Sequence, residues 1–158
     1  MQARRLTMKT LNTCVAVSVM ALLLVACGST EKKPPTVGEM KDFDTVCDKA
    51  NDGKRVAVVG YLRFPEEVNR KVGLVLRLYK TNDYGGKPVG VSSDIGNKPN
   101  QVEFMPKEYT DKDLKVHLMN GQVAGFGTKV KVSGDLYFPL VGQVFQCSLS
   151  NPLVELAP

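Results

Sequence analysis

The chain has 158 residues, which is enough for one domain, and a formal net charge of +5 from 21 basic and 16 acidic residues. Three of the basic residues, Arg4, Arg5 and Lys9, lie at the N-terminus, so the remainder carries a net charge of only +2. A protein that neutralises many phosphates carries a clear excess of Lys and Arg. The composition of the domain therefore argues against nucleic-acid binding.

A short apolar run follows the basic start. The residues from Cys14 to Ala26 read CVAVSVMALLLVA, and a helix of that length spans about 20 Å, less than a hydrocarbon core of about 30 Å. The run predicts a cleaved signal peptide over residues 1–26 rather than a permanent membrane span. Arg4-Arg5 either belongs to its basic region or precedes a true start at Met8.

The end of this segment resembles the lipobox of bacterial lipoproteins: Leu24-Val25-Ala26-Cys27, followed by Gly28. The resemblance implies that signal peptidase II cleaves before Cys27, which then carries diacylglycerol and an N-acyl chain such as palmitate. Each buried methylene contributes about 0.8 kcal/mol, so these chains anchor the protein stably on a membrane. Because Gly28 stands where an Asp commonly retains lipoproteins in the inner membrane, the resemblance implies the periplasmic leaflet of the outer membrane. An ordinary signal peptide with a fortuitous Cys is the alternative.

Residues 27–36 are polar and contain two prolines, which favours an extended tether.

The cysteine count predicts one disulfide. Of the four cysteines, Cys14 leaves with the signal peptide and Cys27 is lipidated, which leaves Cys47 and Cys147. A remaining pair in an exported domain favours a disulfide, and closing a loop of about 100 residues contributes about 4.7 kcal/mol on the chain-entropy model. A metal site or a redox pair is the alternative, which the wide separation, the absence of CxxC and the single histidine, His117, disfavour.

The folded domain is predicted over residues 37–158 and begins with a helical pattern. Thr36 and Glu39 have the spacing of a capping box, and apolar residues recur at about helical intervals until the turn-forming residues near Gly53. We expect one short helix over residues 37–50.

After residue 53 the apolar period changes to two, which is the pattern of strands. The predicted strands are, in chain order, Val56–Phe64, Val72–Tyr79, Gln101–Phe104, Val130–Phe138, Gln143–Leu149 and Leu153–Leu156. Val89–Ser92 is a second candidate for the third strand, and Asp113–Leu118 fits a strand and a helix equally well.

Two of these strands share the pattern V-x-V-x-G-x-L, at Val56–Leu62 and at Val130–Leu136. A glycine inside a strand marks a bulge or bend, which a small barrel needs. About five strands with this pattern resemble the OB-fold, a five-stranded Greek-key barrel, and more narrowly the tRNA-anticodon-binding-like OB group, which has many exported lipoproteins. We predict a mainly β fold, a small five-stranded OB-like Greek-key barrel over Gly53–Pro158 preceded by the short helix. A β-sandwich is the alternative.

The chain carries no recognisable catalytic or metal-binding motif. His117 has no nucleophile context, and no serine lies in a GxSxG motif. The acidic and glycine-containing candidates are better explained as solvated loops and turns: Glu66-Glu67, Asp111 with Asp113, Asp42 with Asp44 and Asp48, and Gly125-Phe126-Gly127. We therefore expect a protein that is not an enzyme and that holds no metal and no cofactor other than its covalent lipid.

The OB resemblance implies a binding surface across the second and third barrel strands and the adjoining loops. On this chain the surface would carry Arg63, Arg77, Tyr61, Tyr79 and Tyr84. Arg and Tyr can stack on a ring or anchor a protein interface, although they are also ordinary solvent-facing strand residues. We expect an adaptor that binds an envelope protein. The alternative is a module for an envelope glycan, an anionic small molecule or nucleic acid.

Overall fold

The computed structural model describes residues 34–68, 73–140 and 144–158. The predicted signal peptide, Cys27 and most of the predicted tether lie outside the described residues, as do Val72 and Gln143 at the starts of two predicted strands. The chain from Pro34 to Pro158 forms one compact unit.

Five strands of this unit close into a barrel. The strands of the described residues are β1 (Glu39–Met40), β2 (Arg55–Arg63), β3 (Leu74–Tyr79), β4 (Val89–Ser93), β5 (Lys115–His117), β6 (Val123–Gly125), β7 (Lys129–Tyr137) and β8 (Ser148–Leu156). The barrel order is β2-β3-β4-β8-β7, and pairing of β7 with β2 closes the ring. Its pairings are antiparallel except for β4 with β8, which is parallel. The predicted mainly β class is thus confirmed as a closed five-stranded barrel, which fits an OB-like fold.

Alternate residues of the barrel strands fill its interior, as the period of two predicts. The inward-facing side chains are almost fully buried: Val56, Val58, Leu62, Leu74, Leu76, Leu78, Val89, Val91, Val130, Val132, Leu136, Leu149 and Val154. Full burial of one such side chain contributes about 1.5–3 kcal/mol. The aliphatic rows of five strands therefore form a single core.

The two V-x-V-x-G-x-L segments pair with each other. Val56 of β2 lies opposite Gly134 of β7, and Gly60 lies opposite Val130. A Cβ on Gly134 would lie 2.7 Å from the Cβ of Leu149 on β8, and a Cβ on Gly60 would overlap the carbonyl oxygen of Tyr79 on β3. Each glycine therefore permits the close approach of a third strand, which agrees with the predicted role of these glycines in barrel formation.

Two strand predictions need correction. The third barrel strand is the second candidate, Val89–Ser93, whereas Gln101–Phe104 makes only isolated bridges through Val102. Of the predicted strand Gln143–Leu149, residues 144–147 are not strand, while Ser148 and Leu149 belong with the predicted Leu153–Leu156 to one strand, β8. β8 continues through Asn151 with a register shift against β7. Asn151 adopts a positive φ of 48° at this irregularity, so the turn-like residues mark a bulge and not a strand end.

The helix predicted over residues 37–50 is not formed. These described residues contain β1, a series of turns over 43–47 and the start of a 3-10 turn at Lys49–Asn51. Their apolar side chains do not share one face, because Val46 is fully buried while Val37 and Met40 are exposed.

Tertiary pairing explains this difference. β1 runs parallel to β2, and the backbone N–H of Lys41 donates to the carbonyl of Ala57. Gly38 lies so close to Val56 that a Cβ would overlap the Val56 carbonyl group. The backbone groups of this segment therefore bond to the barrel rather than to a helix, which overrides a weak local propensity.

The predicted disulfide between Cys47 and Cys147 is confirmed. The Cα atoms of the two residues are 5.5 Å apart, and 100 residues separate them in the chain. Cys147 is fully buried immediately before β8, and Cys47 packs against the same core. The bond therefore joins the segment before the barrel to the start of its last strand.

A hairpin occupies the stretch between β4 and β7, where an OB-fold usually has a helix. β5 pairs with β6, and Val102 bridges to Val116 on the other edge of β5. Val102, Val116 and Ala124 are buried in the same core cluster as the barrel residues. Within the described residues 94–128, the helical structure is limited to one 3-10 turn at Asp111–Asp113.

Candidate functional site

The outer face of β2 and β3 carries four of the predicted binding residues. Tyr61 lies opposite Tyr79, and Arg63 lies opposite Arg77. Directly opposed residues of an antiparallel pair project from the same face, and residues two apart on one strand do so as well. The structure therefore brings these four side chains together.

Tyr84, the fifth predicted residue, joins this face through ring contacts. Its ring meets that of Tyr79 edge to face at 5.5 Å between centroids, and it stacks with Phe126 at 5.3 Å and 16°. The guanidinium carbon of Arg63 lies 5.2 Å from the Tyr84 centroid. We call Tyr61, Arg63, Tyr79, Tyr84 and Phe126 the aromatic patch. Tyr79 itself is buried, so its main contact is with Tyr84 and not with solvent.

Two tight turns build this patch. Tyr84 has a φ of +59°, and Asp83 just before it accepts hydrogen bonds from the Thr81 hydroxyl and the Gly85 backbone. Phe126 precedes Gly127, which has a φ of +78°. The sequence interpretation treated Phe126 only as part of a turn, and the aromatic residue exposed between two glycines was the signal that could have identified it.

Arg63 is held by an acidic residue that the sequence did not link to it. The Nε of Arg63 donates to Asp111 at 2.6 Å, and the backbone N–H of Phe64 donates to the same carboxylate at 3.3 Å. Burial, and after it the negative charge of Asp111, raise the pKa of Tyr84 above its usual value. Asp111 therefore fixes Arg63 over the Tyr84 ring. Asp113, which the sequence analysis considered together with Asp111, instead accepts hydrogen bonds from Thr110 at the start of the 3-10 turn.

Arg77 lies deeper than the other predicted residues. Its side chain is 14% exposed, and its Nη1 donates to Glu66 at 3.1 Å. Burial by itself lowers the pKa of Arg77, but its interactions with Glu66 and Tyr79 outweigh burial and raise the pKa, so the guanidinium stays charged. Its Nε is buried and meets no hydrogen-bond acceptor in the described part of the chain.

A groove of about 460 Å³ lies beside Arg77, between the residues that follow β2 and those that precede β8. The residues that line it are mostly apolar: Pro65, Val68, Leu74, Val75, Val144 and Phe145, with Glu66, Glu67, Gly73 and Arg77. Phe145 reaches the surface of β4 at Gly90, where a Cβ would lie 3.1 Å from its ring. The described lining of the groove therefore combines aliphatic and aromatic walls with one cation, Arg77.

One apolar side chain of the groove remains largely in water. Val144, which lines the groove beside Phe145, is 64% exposed. Scattered single apolar residues are normal on a protein surface, but a cluster at a concave site indicates an interaction surface.

A second, smaller groove of about 270 Å³ lies beside the disulfide. Lys80 and Lys87 line it with Phe43, Cys47 and Asp44. Lys80 forms an ion pair with Asp44, so its charge is already balanced. This groove therefore has fewer polar groups available to a ligand than the groove beside Arg77.

The other candidate residues form no reactive cluster among the described residues. No group of three or more His, Cys, Asp or Glu side chains is placed to hold a metal ion there. His117 lies on β5, with its Nε2 buried and without a hydrogen-bond partner in the described chain. In the same residues, no helix is long and apolar enough to cross a bilayer.

No protein-family model matches the chain, and no curated protein matches it either.

Proposed function

We propose that this protein is a bacterial envelope lipoprotein whose OB-like barrel acts as a non-enzymatic adaptor that binds another envelope protein. The sequence Leu24-Val25-Ala26-Cys27 supports lipid attachment at Cys27 and a location on the periplasmic leaflet of the outer membrane. The lipid is then covalent diacylglycerol with an N-acyl chain, and the domain needs no other cofactor.

The barrel supports the OB-like part of this proposal. Its closed five-stranded order, with one parallel pairing between β4 and β8, supports the Greek-key arrangement that we propose. Membership in the tRNA-anticodon-binding-like group is the narrower proposal, and it rests on the paired V-x-V-x-G-x-L segments together with the lipobox.

The binding surface we propose is the outer face of β2 and β3 with the adjoining groove. Arg63, Arg77, Tyr61, Tyr79 and Tyr84 form or support one side of it. The observation that carries the adaptor function is the mostly apolar groove, which the exposed side chain of Val144 lines. Burial of apolar side chains drives protein association, and Arg and Tyr are enriched among interface anchors.

In-cell crosslinking of the lipidated protein, followed by mass spectrometry, tests this function. The variant Val144→Asp places a charge at the groove and should abolish capture of the envelope partner. Val123→Asp is a matched control, because Val123 is a 48% exposed valine on β6 that does not line the groove. Equal capture by both variants would show that the groove is not the adaptor surface.

One observation favours the alternative function, a module for an envelope glycan or an anionic small molecule. The buried Nε of Arg77, which has no hydrogen-bond partner among the described residues, is a donor for an anionic ligand. This alternative predicts saturable, salt-sensitive binding that Arg77→Ala removes. Nucleic acid is the least favoured ligand, because the net charge without the N-terminal segment is only +2.

A further inference from the structure

We propose that the groove binds the C-terminal residue of a partner protein, with the free carboxylate on Arg77 and the apolar side chain against Val75 and Phe145. This inference rests on the proposed adaptor function and names the part of the partner that the groove accepts.

The guanidinium of Arg77 is only partly hydrogen-bonded within the protein. Its Nη1 contacts Glu66, whereas its Nε is buried without an acceptor among the described residues. A guanidinium presents several N–H groups in a planar fork that matches the two oxygens of a carboxylate. A ligand carboxylate would therefore satisfy a donor that the described chain leaves unpaired.

Glu66, the carboxylate partner of Arg77, is easily displaced, whereas the interaction of Arg77 with Tyr79 can stay in place. The Glu66 side chain is 85% exposed, and ion pairs with so exposed a member contribute little to stability. An incoming carboxylate can therefore take the place of Glu66 at little cost, while Glu66 returns to water.

The spacing within the groove fits a single residue that carries both groups. Val75 and Arg77 are two positions apart on the outer face of β3, a separation of about 6.6 Å. A C-terminal residue carries its carboxylate and its side chain on the same Cα. An apolar C-terminal residue can therefore contact Arg77 with one group and the wall formed by Val75 and Phe145 with the other.

Two dipeptide probes test this site. Fluorescein-labelled Leu-Leu with a free C-terminus and the same peptide with a C-terminal amide are titrated into the full-length protein in detergent micelles, with anisotropy as the readout. We expect the free acid to bind at least about tenfold more tightly than the amide, because charge-assisted hydrogen bonds to a carboxylate are the strong ones.

Three variants assign this preference to Arg77. Arg77→Gln should abolish it and Arg77→Lys should retain part of it, while Glu66→Gln should strengthen binding because it removes the competing carboxylate. Lys115→Gln is the control, because Lys115 on β5 is another cation paired with a carboxylate, that of Glu103, and does not line the groove. It should leave the preference unchanged.

Several results would overturn the inference. Equal affinity for acid and amide, or an equal loss in Lys115→Gln, would remove Arg77 as the carboxylate site. Octanoate that competes as well as the dipeptide acid would identify a lipid-like carboxylate instead of a protein terminus. If the acid and amide bind equally while Val144→Asp still loses its crosslinked partner, the adaptor function stands and only this subsite is wrong. An acid preference without a captured partner would argue against the adaptor function and not against the subsite.

Discussion

Gly60 lies next to Tyr61, the residue at which the pairing of β2 passes from β7 to β3. β2 pairs with β7 from Arg55 to Tyr61 and with β3 from Tyr61 to Arg63. At this crossing the backbone of Tyr79 comes so close to Gly60 that a side chain has no room. Closure of the barrel therefore depends on the missing Cβ more than on any backbone freedom of glycine.

Substitution of Gly60 by Ala should lower the free energy of unfolding by about 2–4 kcal/mol, because the new methyl group must displace the backbone of β3. Urea unfolding measures this loss. Gly125→Ala is the control, since its Cβ would make only an ordinary contact at 3.5 Å, and it should change the free energy by less than about 1 kcal/mol. A wild-type urea midpoint for Gly60→Ala would disprove the steric account.

Arg55 joins three distant parts of the chain through its guanidinium. The Nε donates to the Thr36 carbonyl at 2.7 Å, Nη1 to Asp135 at 3.0 Å and Nη2 to the Asn151 carbonyl at 3.1 Å. Burial by itself raises the pKa of Asp135, but the hydrogen bonds from Asn151 and Arg55 outweigh burial, and the net pKa is below its usual value. The charged carboxylate therefore stabilises the folded state.

This shift predicts a pH-dependent effect of Asp135→Asn. A carboxyl whose folded pKa is depressed contributes stability above its unfolded pKa of about 3.9, and it loses that contribution as the pH falls through the folded value. The variant should be less stable than the wild type at pH 7 and should approach it as the pH falls below about 4. Urea unfolding at several pH values measures the difference.

Asp52→Asn provides the comparison for this experiment. Asp52 is exposed and forms no ion pair within the described residues, so its substitution should leave stability nearly unchanged at every pH. If the deficit of Asp135→Asn stays constant down to pH 3, the carboxylate charge is not what stabilises this site.

At the scale of elements, residues 34–51, which precede the barrel, are held to it by few contacts. Residues 34–51 contain only β1 and one 3-10 turn as regular structure. The buried side chain of Val46, the pairing of β1 with β2 and the disulfide hold them to the barrel. Such a segment is expected to open more readily than the barrel strands.

Removal of the disulfide by the double substitution Cys47→Ala, Cys147→Ala should lower the free energy of unfolding by about 2–5 kcal/mol. Hydrogen exchange should accelerate most at the amides of Lys41 and Asn51, which donate to Ala57 and Asp48. The amide of Val132 within β7 is the internal reference. Equal acceleration at all three amides would mean that the disulfide stabilises the whole barrel and does not act mainly on this segment.

The sequence predicted the strands in which apolar and polar residues alternate regularly. It did not predict correctly the strands whose residues are determined by contacts with neighbouring strands. β2, β3 and β7 follow their apolar pattern closely. β4 contains Gly90 and two serines, which gave it a weaker signal than Gln101–Phe104. Gly90 is required there because Ser148 and Phe145 occupy the space that a side chain would need. Such contacts arise between residues more than 50 positions apart, so a local pattern does not contain them.

The candidate site was predictable to a similar extent. Alternation placed Tyr61 and Arg63 on one face of β2, and Arg77 and Tyr79 on one face of β3. It could not predict that Tyr84 and Phe126 stack, because three strands, β4, β5 and β6, lie between their turns in the chain and only the tertiary fold brings the turns together. The groove likewise depends on Phe145, which lies in the connection before β8.

At the scale of the whole molecule, the membrane anchor is predicted from the sequence alone and has its own test. Globomycin blocks signal peptidase II, so treated cells should accumulate a larger precursor of this protein. The variant Cys27→Ala should remove lipid labelling by a radioactive fatty acid. Unaffected processing in the presence of the inhibitor would show that Cys27 is not a lipobox cysteine.

The separation of Cys47 and Cys147 also sets an order of events for the whole chain. A polypeptide emerges N-terminus first, so Cys47 is present for the time that 100 further residues take to appear. At about 5–20 residues per second that delay is about 5–20 s. During this interval Cys47 has no access to its native partner. The native crosslink therefore forms only once the chain extends to Cys147, so the native disulfide is absent from every shorter nascent chain.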